Sequence, residues 1–207
     1  APAQPLLVLA GAGTGKTRVI TTRIAHLIRQ GTPPERILAV TFTNKAAREM
    51  QQRASELLGK GQPSKPEIST FHSLCVRILR RHIQKLGYPA RFAIYDRADQ
   101  EATARSTLRE LKMPSQSLRP GDLLYFIGRW KNSGIDPDTA EKESESEKEH
   151  LAAIAYARYQ STLLASGAVD FDDLLLLTEK LLQSNADARE EEAGRFDHIL
   201  IDEYQDT

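Results

Sequence analysis

A single cysteine, Cys75, stands among 207 residues. One thiol cannot close an internal disulfide, which excludes a disulfide-stapled secreted fold and makes a reducing cytoplasm the expected setting. No apolar run approaches the roughly 20 residues that a membrane-spanning helix needs. A signal peptide is not expected either, because Ala1–Pro5 leads directly into the short apolar run Leu6–Ala10. Net charge is also lacking: 28 Lys and Arg offset 28 Asp and Glu. That zero conceals an asymmetry, since residues 1–85 hold 14 basic and 4 acidic side chains while residues 86–207 hold 14 and 24. A polyanionic partner for the N-terminal part is therefore not excluded, although charges spread over solvated helix faces explain the balance equally well. At 40 % hydrophobic and 27 % charged the chain is neither disordered nor fibrous. Its length fits one large domain or one domain with a smaller companion.

Local patterns alternate at first. Leu6–Ala10 reads as a strand buried on both faces, and residues 16–30 show helical periodicity with Gly31 and Pro33-Pro34 as stops. Ile37–Phe42 reads as a second strand, followed by a helix to about Leu58 that Thr43 or Asn44 caps. Ile68–Thr70 is a third, and Phe71 to about Leu86 a helix closed by Gly87. Strand–helix alternation of this kind predicts a layered α/β unit. Beyond Gly87 it stops: residues 97–111, 121–131, a long stretch over 140–165, and residues 170–183 all read as helices. The charged run Glu141–Glu149 reads as a solvated loop or the exposed start of the long helix. His198–Ile201 is again an apolar strand, ending in acids. The expected organisation is an α/β domain built from residues 1–87 and 166–207, with a helical insertion over residues 88–165.

Three constellations carry chemistry. Gly11-Ala12-Gly13-Thr14-Gly15-Lys16-Thr17 follows the first apolar run and opens a helix. Small residues let backbone N–H groups turn inward around phosphates, and the helix N-terminus adds partial positive charge. Lys16 is placed to reach the β- and γ-phosphates, and the Thr17 hydroxyl to hold Mg²⁺. The pattern G-x-x-x-x-G-K-[ST] carries Ala10 at its first position, where a small residue still fits. In the second constellation Asp202 and Glu203 end a strand read as buried, which sets carboxylates at the edge where open α/β sheets bind ligands. Asp202 would hold Mg²⁺ and Glu203 would orient or deprotonate an attacking water. The third group is Thr41-Phe42-Thr43-Asn44 and Thr70-Phe71-His72-Ser73, each between a strand and a helix. Hydroxyls, an amide and helix N-termini suit phosphodiester oxygens, and Phe suits base stacking. Taken singly, the same residues read as helix caps and core aromatics. Cys75 reads as core packing.

Together, AGAGTGKT (Ala10–Thr17), TFTNKAAREM (Thr41–Met50), TFHS (Thr70–Ser73), VDFDDL (Val169–Leu174) and DEYQDT (Asp202–Thr207) resemble successive motifs of the UvrD/Rep/PcrA-like DNA helicases of superfamily 1. The resemblance implies a RecA-like P-loop NTPase fold, a parallel sheet flanked by helices with an inserted all-α subdomain. It implies ATP and Mg²⁺ as cofactors and 3′ to 5′ movement on single-stranded DNA. It places Arg18 beside the adenine, adds Gln205 to the nucleotide site, and has Gln205 and Asp206 couple that site to DNA sensing. It sets Phe42 and Phe171 in base pockets, and Thr41, Thr43 and His72 on or near the DNA path. The insertion would lie near the duplex junction.

This sequence also departs from the family pattern. Gln4 lies too close to the first apolar run to serve as the family's upstream adenine-reading glutamine, and the arginines of a second motor domain have no counterpart in these residues. The chain is therefore expected to be most of a first motor domain, hydrolysing ATP weakly, if at all, by itself. Two competing readings stay open: a P-loop phosphotransferase acting on a small molecule, and a nucleotide-binding module without turnover.

Overall fold

Ile37, Leu38, Ala39, Val40 and Thr41 are all buried in succession, the pattern of a strand covered on both faces. In the computed structural model, which describes residues 5–11, 13–59, 64–114 and 116–206, this stretch is β1. The other strands are β2 (Glu67–Thr70), β3 (Ala93–Ile94), β4 (Ala168–Val169) and β5 (His198–Ile201). The helices are α1 (Lys16–Arg29), α2 (Asn44–Leu58), α3 (Phe71–His82), α4 (Arg97–Glu110), α5 (Pro120–Asn132), α6 (Pro137–Lys142), α7 (Glu147–Ala165), α8 (Phe171–Ser184) and α9 (Ala186–Ala193).

The chain divides into two units. The first runs to Ser73 and resumes at Glu191. It holds a parallel sheet in the order β2-β1-β5, with Thr41 opposite Thr70 and Val40 opposite Ile201. Ile24 and Leu27 of α1 and Met50 and Ala54 of α2 pack with Ile37, Ala39 and Ile68 of the sheet. Gln51 Nε2 donates to the Ile68 carbonyl at 2.6 Å, which ties α2 to β2 by a polar contact as well.

Two sequence expectations fail in this unit. Leu6–Leu9 is not a strand among the described residues: it joins no ladder, and its four side chains are between 54 % and 87 % exposed. An apolar run becomes a strand only where a neighbour takes its backbone hydrogen bonds, and no described strand pairs with this one. β5 pairs only with β1, so among the described residues it is an edge strand rather than a buried one, with Ile199 62 % exposed.

Among its described residues the second unit, Leu74–Glu190, is built mainly of helices, with a two-residue parallel pairing of β3 with β4. Residues 88–165, expected as the insertion, lie wholly inside it. Leu123, Ile127 and Trp130 of α5 pack on Ala152, Tyr156, Tyr159 and Leu163 of α7. Trp130 stacks on Tyr156 with ring centroids 5.8 Å apart. The single helix expected over 140–165 is two: α6 begins at Asp136, whose side chain accepts from Thr139 N, and α7 begins at Ser146, which accepts from Glu149 N. A run rich in Glu and Ser cannot bury a face, and its serine supplies a helix start instead.

The β3–β4 pairing and α9 were not expected. The pairing depends on Gly167, which has φ 60° and lies so close to Pro89 that an added Cβ would meet Pro89 Cγ at 2.7 Å. Among the described residues no helix is long and apolar enough to cross a membrane.

Candidate functional site

The first unit's parallel strands all point the same way, so the residues that follow them collect at one edge of the sheet. Thr41 ends β1, Thr70 ends β2 and Asp202 follows β5, with Asp202 N donating to the Val40 carbonyl at 2.9 Å. The phosphate-loop candidates arrive at the same place from α1. Gly15 precedes α1 with φ 93°, a left-handed conformation that a side chain disfavours. Its N-cap is Gly15, which has no side chain to bond the first helical N–H groups, so among the described residues the N-terminus can receive an anion. Thr14 Oγ1 donates to the Gly11 carbonyl at 2.8 Å and holds the loop turned. Ala10, Gly11 and Gly13 belong to this loop, while Ala12 lies outside the described residues.

Two pairs join the loop to β5. Thr17 Oγ1 lies 3.4 Å from Asp202 Oδ2, and Lys16 Nζ lies 3.7 Å from Glu203 Oε1. Asp202 is buried, whereas the Lys16 and Glu203 side chains are 28 % and 39 % exposed and accessible to a ligand. Glu203 has φ 52°, which costs an L-residue about 1–2 kcal/mol. Its backbone N–H donates to Asp202 Oδ1 at 3.1 Å, and Gln205 Nε2 donates to Glu203 Oε2 at 2.5 Å. These contacts hold the strained residue in place. The Asp206 side chain lies outside the described residues.

The donor set fits Mg²⁺. Octahedral neighbours at 2.0–2.1 Å from that ion are about 3 Å apart, and hard oxygen ligands are what it takes. The hydroxyl of Thr17 and the carboxylate of Asp202 supply two such oxygens at 3.4 Å. Along α1, an open groove of about 510 Å³ is lined by Arg18, Thr22, Arg23 and His26, together with Thr14, Gly15 and Val19. Arg18, Thr22 and His26 lie four residues apart, so they share one helix face. That spacing could have flagged Thr22 and His26 beside Arg18 in the sequence.

The third constellation divides between roles. Thr43 caps α2, accepting from Ala46 N at 3.1 Å, with Asn44 exposed as the first helical residue. Thr70 accepts from Ser73 N at 3.2 Å, and its hydroxyl donates to Ser73 Oγ at 2.9 Å. Thr41 and Thr70 are buried, and His72 is half-buried. Phe42 packs against Phe71 with centroids 5.1 Å apart, yet stays 40 % exposed. Phe171, in the second unit, opens α8 and is 50 % exposed. Cys75 is buried, and burial raises its thiol above the ordinary value, as expected of core packing.

Comparison with known proteins agrees with this geometry. Residues 1–207 match the sequence model of the family described as UvrD/REP helicase N-terminal domain. The chain is 43 % identical over 204 residues to the ATP-dependent DNA helicase PcrA of Bacillus subtilis (strain 168), covering 98 % of this chain and 28 % of that protein. It is 42 % identical over 204 residues to the PcrA helicase of Leuconostoc citreum, with 98 % and 27 % covered. To a probable DNA helicase II homolog of Mycoplasma capricolum it is 41 % identical over 209 residues, with 99 % and 29 % covered. The chain thus spans 27–29 % of the length of these curated relatives.

Proposed function

Since the chain belongs to the UvrD/REP helicase N-terminal domain family, we propose that it forms the nucleotide-hydrolysing part of a DNA motor that moves 3′ to 5′ along single-stranded DNA. The observation that carries this reading is the convergence of Lys16, Thr17, Asp202 and Glu203 at the carboxyl edge of one parallel sheet. In this reading Gly11–Thr17 cradles the phosphates of ATP, and Lys16 brings its charge to the β- and γ-phosphates. Thr17 and Asp202 hold Mg²⁺, which when bound neutralises charge on the phosphate oxygens. Glu203, held by Gln205, takes the proton of the attacking water. Arg18, which lines the groove along α1, would lie beside the base.

The nucleic-acid part rests on Thr41, Phe42, Thr43, Asn44, Thr70 and His72 in the first unit and on Phe171 in the second. Half-exposed Phe42 and Phe171 would stack on bases. Because Thr43 and Thr70 also cap helices, their part in DNA binding runs through the backbone N–H groups they order at those helix starts. The duplex junction and a second motor domain complete the proposed partners.

A tailed-duplex assay on the whole protein tests the direction. Unwinding with Mg²⁺ and ATP is expected on a duplex with a 3′ single-stranded tail and not on one with a 5′ tail. Equal activity on both, or preference for the 5′ tail, would contradict the reading.

A further inference from the structure

Lys131, near the end of α5, is fully shielded, its side chain 0 % exposed. Its ammonium meets Asp170 Oδ2 at 2.7 Å and Asp173 Oδ1 at 2.7 Å, and those two side chains are 3 % and 0 % exposed. From α7, Tyr159 donates its hydroxyl to the same Asp170 oxygen at 3.1 Å. Gln160 Nε2 reaches the two oxygens of Asp173 at 3.1 and 3.2 Å. The rings of Tyr159 and Tyr156 stand 5.5 and 6.0 Å from the ammonium, within reach of a cation–π attraction. Helices α5, α7 and α8 therefore meet at one buried charge cluster.

The two carboxylates also form a reciprocal cap at the start of α8. Asp173 N donates to Asp170 Oδ1 at 2.9 Å, and Asp170 N donates to Asp173 Oδ2 at 3.1 Å. One oxygen of each carboxylate serves the helix end, and the other takes the ammonium. An apolar cluster of the same volume is often as stable as a buried ion pair or more so, so stability alone does not account for this arrangement. Fixing two caps to within a hydrogen-bond length is something apolar packing cannot do. Directly after buried Asp170 comes Phe171, half exposed. Asp172 is held close to α5 as well, since a Cβ built on Gly128 would lie 3.6 Å from Asp172 Oδ2.

We propose that Lys131 is a positioning residue for DNA contact: by locking the start of α8 to α5 and α7, it presents the Phe171 ring to a base at a fixed angle. The proposal rests on the reading of Phe171 as a base-contacting residue. Lys131 touches no DNA in this account, and it acts through the backbone at residues 170–171.

The test is a double-mutant cycle in the whole protein, read as affinity for a fluorescent single-stranded oligonucleotide. Phe171→Ala alone should weaken binding about 5- to 150-fold, the range of one base stack. Lys131→Met should weaken it at least about twofold in the parent background and leave it unchanged in the Phe171→Ala background, because coupled residues are non-additive. Tyr159→Phe, which deletes a single hydroxyl, should repeat this pattern in weaker form and carries the test if Lys131→Met does not fold. Unaltered affinity in folded Lys131→Met and Tyr159→Phe, or losses that simply add to that of Phe171→Ala, would overturn the positioning role. If Phe171→Ala itself binds normally, the base-contact reading fails, and the positioning role fails with it.

Discussion

Lys16 and Glu203 face each other across 3.7 Å, a charge that phosphate would attract beside a base that water would need. The two residues have separable roles. Lys16→Ala should cut ATP turnover at least about 10²-fold, as loss of a positioned charge-stabilising group does. Its far-ultraviolet spectrum and melting temperature should stay near those of the parent, because the pair it makes with Glu203 is partly exposed and long, and such pairs add little stability. A mutant that melts early would show that Lys16 is structural. Glu203→Gln keeps size and hydrogen bonding but cannot accept a proton. Turnover should fall about 10²–10⁴-fold while calorimetric ATP affinity survives. If affinity collapses along with turnover, Glu203 is a metal ligand or a structural residue instead.

At the scale of elements, the clearest test lies at the start of α2. Thr43 supplies its cap, and losing such a cap costs about 0.5–2 kcal/mol. Thr43→Ala should therefore lower the stability of the protein by about 1 kcal/mol in urea unfolding, and an unchanged midpoint would contradict the cap. The cap of α8 makes a prediction of opposite character. Burial, and then neighbouring Asp170, hold the Asp173 carboxyl above its ordinary 3.8, although Lys131 opposes them. The native form thus takes up a proton at higher pH than the unfolded chain, so this group adds stability as pH falls toward its ordinary value. Asp173→Asn should remove that part of the pH dependence between neutrality and about pH 4, measured by urea unfolding. An identical pH slope in both proteins would show that Asp173 does not titrate differently on folding.

These elements also show what the sequence could convey. Helix α2 was legible because Thr43 caps an apolar stripe that Gly59 ends, all within adjacent residues. The ammonium that bridges Asp170 and Asp173 was not legible, because Lys131 lies 39 residues from Asp170 and nothing local marks it as buried. The failure at Leu6–Leu9 has the same origin. Apolar character is local, but strand formation depends on a partner elsewhere in the chain. The break before α7 was left open for a smaller reason: the charged run Glu141–Glu149 reads equally as a loop or a helix start, and only the Ser146 cap decides between them.

For the molecule as a whole, the geometry gathers the Gly11–Thr17 loop, the Thr17 and Asp202 oxygens and the Glu203 carboxylate on one sheet edge, in a chain of the UvrD/REP helicase N-terminal domain family. The second unit adds Phe171 on a helix start that buried charge holds in place. A small-molecule phosphotransferase would need the loop and the acids. It would give no reason for exposed Phe42 and Phe171 at helix starts. The claim that hydrolysis at this site serves movement on DNA is therefore the one to test. The direct measurement is the steady-state ATPase rate of the whole protein with Mg²⁺, with and without a single-stranded oligonucleotide of mixed sequence. The rate should rise on adding DNA, saturate, and be lost in Glu203→Gln. A rate indifferent to DNA, or one that needs a small-molecule phosphate acceptor, would contradict it.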